Sequence, residues 1–160
     1  GIQFIENPVY NETNNISSLM YARTLLQNAY VLEGDMLLYN KDLVTKYQYC
    51  SNYLGVPVSV TDDWCFKTKN GQITKVLIGG TNCHRMIGIS YWTKEDGAKL
   101  EGHIPAVYNA PGGKEKYWDE VPLKSYVDSY KIMVRECTFD DIIEIDTFRE
   151  LKQLDPTYDV

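Results

Sequence analysis

The chain has 160 residues, 44% of them hydrophobic and 24% charged, which suits one globular domain with a sizeable core. Its net charge of −6 argues against non-specific binding to nucleic acid, so any anionic ligand must meet local positive charge or a metal ion. No apolar run approaches the roughly 18 residues of a membrane span, and four cysteines at 50, 65, 83 and 137 with no CxxC pair read as reduced thiols of a cytoplasmic protein.

In chain order, Ile2–Glu6 reads as a strand followed by an Asn-rich loop. Asn14 or Asn15 suits an N-cap, because Ile16, Leu19, Met20 and Leu26 then share one face of a helix over 16–28. That helix leads into an apolar strand at 29–33, and Gly34 bends the backbone before Asp35 at its carboxyl end, where open α/β sheets place ligands. Helix followed by strand is half of a βαβ unit, which predicts a sheet with parallel members.

A short helix is expected over Asp42–Tyr47, then strands at Val56–Val60 and Asp63–Thr68. Asn70-Gly71 is a strong hairpin signal leading into Ile73–Ile78. Gly79-Gly80-Thr81 reads as a turn, since no GxGxxG or P-loop surrounds it. Met86–Trp92 is a further apolar strand, and Thr93 with Asp96 caps a helix over 94–107. A helical turn at Lys116–Glu120 stops at Pro122. A strand at Lys131–Glu136, another from Ile142 to Asp146, and a helix capped by Thr147 and Glu150 complete the chain, with a frayed tail from Asp155.

Three constellations could carry chemistry. Asp35 follows one strand, while Glu144 and Asp146 are two residues apart and so share a face of another. Together they would hold Mg²⁺ against phosphate oxygens; separately they fit a turn, a solvated carboxylate and a helix cap. Trp64, Tyr91, Trp92, Tyr117 and Trp118 lie at strand or loop edges, with Asp62, Asp63, Asp119 and Glu120 beside them. Rings next to carboxylates suit a quaternary ammonium group, although aromatic residues also simply fill cores. Cys83-His84 has no nucleophile elbow around it and points to no hydrolase.

The order Asn14-Asn15-Ile16-Ser17-Ser18-Leu19, Tyr30-Val31-Leu32-Glu33-Gly34-Asp35, Asp63-Trp64, Gly88-Ile89-Ser90-Tyr91-Trp92, Tyr117-Trp118-Asp119 and Ile143-Glu144-Ile145-Asp146 resembles the LicC-type phosphocholine cytidylyltransferases of the wider nucleotidyltransferase family. The resemblance implies an α/β, Rossmann-like fold, a mixed β-sheet flanked by helices, and transfer of CMP from CTP to phosphocholine with Mg²⁺ as cofactor. It implies metal ligation by Asp35, Glu144 and Asp146, with Asp35 and Asp146 catalytic. Trp64 and Tyr117 match the family's choline pocket, Trp92, Trp118 and Asp119 are further candidate walls, and Asn15 and Ser17 fall beside the nucleotide. The family also opens with a strand and a Gly-rich basic loop that nothing before Ile2 matches. Residues 1–160 are therefore expected to be the carboxyl-terminal two-thirds of one such domain, with little or no transferase activity alone. A sugar-phosphate or aminoalkyl-phosphonate acceptor, or a non-catalytic binding module, is the alternative.

Overall fold

The computed structural model describes residues 1–158. The segment Ile2–Glu6 forms no strand there, because nothing among the described residues pairs with it, and Ile2 and Phe4 stand in solvent. Helix α1 (Ile16–Ala22) is shorter than the periodicity predicts and tightens into a 3-10 turn at Arg23–Leu25. Strands β1 (Ala29–Leu32) and β2 (Met36–Leu38) follow, the second absent from the sequence reading. The expected helix over 42–47 is a single 3-10 turn, Lys41–Leu43, capped by the Asn40 side chain.

Most of the sheet is one long hairpin, β3 (Asn52–Lys69) and β4 (Gln72–Trp92). Asn70 and Gly71 turn it with positive φ of 53° and 75°, the conformation a two-residue turn between twisted strands needs. Asn52 lies opposite Tyr91 at the base and Lys69 opposite Gln72 at the tip. Gly79-Gly80-Thr81 is not a turn but part of β4. Gly79 takes a φ of +76° there, and the register slips between Thr61 and Trp64. This irregularity bends the ribbon. Cys65 and Phe66 then also pair with Arg85 and His84, and the tip reaches the next strand through Gln72 and Met133.

Helix α2 (Lys94–Tyr108) begins where Thr93 and Asp96 predict. Gly97 lets it lie against the chain after α1, since a Cβ there would stand 2.3 Å from the Leu26 carbonyl oxygen. Pro122 does not stop a helical turn; it sits in the first turn of a short π-helical segment, Val121–Ser125, where its missing N–H is harmless. Strand β5 (Met133–Glu136) pairs in parallel with β3, giving the sheet order β1-β4-β3-β5. Mixed pairing is thus present, but β1 itself runs antiparallel to β4. Strand β6 (Ile142–Glu144) pairs with β2, and α3 (Phe148–Leu154) follows with the expected capping box.

Alternation along the strands sends residues to two cores. Tyr53, Phe66 and Trp92 pack with Ile16, Leu100, Ile104 and Val121 beneath the helices. On the other face Leu54, Val56, Ile87 and Ile89 pack with Leu43 and Ile142.

Candidate active site

The β2–β6 pairing brings together two acidic segments about 110 residues apart. Met36 lies opposite Glu144, and the Ile145 N–H donates to the Asp35 carbonyl at 2.9 Å. Glu33, at the end of β1, donates its N–H to the Gly88 carbonyl at 3.0 Å. Its side chain lies over Gly88 so closely that a Cβ there would meet Glu33 Oε2 at 2.0 Å. As a result Glu33, Asp35 and Glu144 each present a carboxylate oxygen within 4.8 Å of the others.

These three line a cleft of about 490 Å³, together with Asp63, Asp119 and Asp146, and with Asn14, Asn15, Trp64, Met86, Gly88 and Tyr117. No Lys or Arg is among its lining residues. The charge shows in the acids. Burial, then the charges of Asp119, Asp35, Asp146 and Asp63, push Glu33 up to about 7. Burial, then Asp146, Asp35 and Glu33, push Glu144 up to about 7, with Arg85 offsetting part of the effect. Oxygen donors crowded in this way suit a hard divalent cation, which would supply the counter-charge that the cleft wall lacks. Asp146 lines the same cleft without joining the cluster of three. Glu33 joins it and was not anticipated; a Glu interrupting an apolar strand two residues before Asp35 was the available signal.

In the same cleft, Trp64 and Tyr117 meet edge to face, ring centroids 5.5 Å apart at 66°. Lys124 Nζ lies 4.4 Å from the Trp64 ring centroid, so a cation already sits against one face of that ring. Asp119 lines the cleft although only 4% of it is exposed, and it accepts a hydrogen bond from the Tyr53 hydroxyl at 2.7 Å. Its burial raises its carboxyl to about 6 against the opposing hydrogen bond.

Other candidates fall elsewhere. Trp92 and Trp118, 0% and 3% exposed, are core residues. They pack edge to face on each other and around Tyr53, so neither walls the cleft. Ser17 is buried as well; its hydroxyl bonds to the Asn14 carbonyl and the Asn7 amide, outside the cleft lining. Asn15 does line the cleft, but its Oδ1 accepts from the Trp118 N–H at 2.8 Å instead of capping α1. It thereby fixes the segment that carries Tyr117 and Asp119.

No family model matches the chain. A 2-aminoethylphosphonate cytidylyltransferase of Lancefieldella rimae is 27% identical over 162 residues, covering 99% of this chain and 65% of that protein. A choline-phosphate cytidylyltransferase of Haemophilus influenzae is 27% identical over 146 residues, covering 89% and 62%. The chain therefore spans slightly under two-thirds of the length of these relatives. Among solved structures, the CTP:phosphocholine cytidylyltransferase of Streptococcus pneumoniae superposes with a TM-score of 0.81 at 23% identity, over 94% of this chain and 66% of that one. The chain thus has the Rossmann-like fold of the nucleotidyltransferases and resembles the LicC-type cytidylyltransferases in sequence and in structure alike.

Proposed function

We propose that this chain forms the cation- and acceptor-binding walls of a cytidylyltransferase that moves CMP from CTP to phosphocholine, giving CDP-choline and pyrophosphate. The observation that carries this reading is the cluster of Glu33, Asp35 and Glu144 lining one cleft with Trp64 and Tyr117. Glu33, Asp35 and Glu144 would hold Mg²⁺, with Asp146 at the rim. The ion's contribution is to neutralise charge building on the phosphates during in-line displacement.

The side chains do the rest by positioning. Trp64 and Tyr117 receive the trimethylammonium group by cation–π attraction, and buried Asp119 offsets its charge. Holding that end sets the acceptor's phosphate oxygen in line with the α-phosphorus of CTP. A new O–P bond forms there, the α–β anhydride bond breaks, and pyrophosphate leaves. With no Lys or Arg in the cleft lining, the triphosphate needs positive charge from beyond these walls. Transfer by the 160 residues alone should therefore be slight.

One relative's substrate supports a second reading, 2-aminoethylphosphonate as acceptor. A primary ammonium would use the carboxylates as hydrogen-bond acceptors and depend little on the rings. Calorimetric titration with choline, phosphocholine and 2-aminoethylphosphonate, with and without Mg²⁺, separates the two. Choline binding without metal and tighter phosphocholine binding with it support the first reading. Preference for 2-aminoethylphosphonate supports the second, and binding of none of the three refutes both.

A further inference from the structure

We infer that Arg85 is a positioning residue that holds Glu144 in the cation cluster and ties it to the strand segment bearing Trp64; this rests on the cation site proposed above. Met86 and Gly88 line the cleft while Arg85 does not. By alternation it leaves β4 on the other face and reaches the wall from behind. One atom, Nη2, lies 2.8 Å from Asp63 Oδ2 and 3.6 Å from Glu144 Oε2. The other oxygen of Asp63 accepts the Trp64 N–H at 2.6 Å. A continuous chain of contacts thus runs from the carboxylate facing the cation to the backbone of the ring facing the acceptor.

The guanidinium lies over the Phe139 ring at 5.6 Å, and its Nε is buried without a hydrogen-bond partner among the described residues. An unpartnered buried donor is destabilising, and an apolar side chain of similar length would fill the same space without it. What such a side chain could not do is stand between two like charges. At 3.6 Å the contact with Glu144 is an ion pair and not a hydrogen bond; outer partners of ligating groups commonly change metal affinity by about 10- to 100-fold when removed.

The test is Mn²⁺ binding by electron paramagnetic resonance in the wild-type chain and in Arg85→Met, Arg85→Gln and Arg85→Lys. Removing a positive charge by itself favours a cation, so the titration is run in about 1 M KCl, where the screening length is about 3 Å and geometry dominates. Arg85→Met and Arg85→Gln should each weaken Mn²⁺ binding about tenfold. Arg85→Lys should stay within about threefold of wild type, because an ammonium can still stand between the carboxylates. Circular dichroism identifies any variant that has not folded, and the neutral variant that folds decides. Neutral variants that bind as wild type does would overturn the inference and leave the cation site standing. A wild-type chain that binds no Mn²⁺ would overturn both.

Discussion

Asp119→Asn should make the protein more stable and a poorer binder. In the fold the Asp119 carboxyl is raised from 3.8 to about 6, chiefly by burial. Folding therefore favours its protonated form. Below about pH 4 the group is protonated in both states and contributes no penalty. As the pH climbs from about 4 to about 6 the unfolded chain ionises first and stability falls, after which the loss is constant. A displacement of that size corresponds to roughly 3 kcal/mol. The amide introduced at this position can still accept the Tyr53 hydroxyl, so the substitution removes the charge and keeps the bond. It also removes one of the charges that raise Glu33, which acts in the same direction. The variant should match wild type near pH 3.5 and exceed it at pH 7.5 by up to about 3 kcal/mol, or about 6–12 °C in Tm for a chain of this size. Urea unfolding followed by tryptophan fluorescence across that range measures the difference. At pH 7.5 choline binding should weaken at the same time. Parallel stability curves for the two proteins, or a variant less stable at pH 7.5, would refute the reasoning.

Trp64→Ala should raise the Kd for choline about tenfold, the scale of one desolvated cation–π contact, and leave Mn²⁺ affinity within about twofold; equal losses would remove Trp64 from the acceptor wall. Gly88→Ala should push the Glu33 carboxylate out of the cluster, because the new methyl would meet it at 2.0 Å. The expected outcome is weaker Mn²⁺ binding with little change in Tm, since a flexible side chain can give way. In Gly97→Ala the obstacle is backbone, the Leu26 carbonyl at 2.3 Å, so the helix itself must move. Thermal unfolding should show about 1–3 kcal/mol of destabilisation, and an unchanged Tm would show that α2 does not need that close approach.

The acidic site was legible in part. Gly34 marks the end of β1 and puts Asp35 at a strand terminus, but the strand expected over 142–146 stops at Glu144, so Asp146 reaches the cleft from the loop beyond it and not by alternation along a shared face. The convergence of the two acidic segments was not legible, because it depends on the three-residue strand β2 pairing with β6 a hundred positions away. Such a short apolar run has no periodicity of its own. Glu33 escaped notice because its place in the cluster depends on the room that Gly88 leaves on a neighbouring strand. The rings show the opposite error. Trp92 and Trp118 adjoin turn signals just as Trp64 and Tyr117 do, and local sequence does not reveal that they pack with each other and with Tyr53 in a core. Gly79-Gly80 reads as a turn for the same reason: what keeps it in β4 is pairing with Thr61, a partner outside any local window.

The most direct test of a divalent cation held beside an aromatic wall is paramagnetic broadening. With ¹⁵N-labelled protein and substoichiometric Mn²⁺, the signals of Gly34, Asp35, Gly88 and the Trp64 indole should broaden first. Those of Gly71 at the hairpin tip and of α2 should persist. Broadening centred anywhere else, or spread evenly over the acidic surface, would contradict the account.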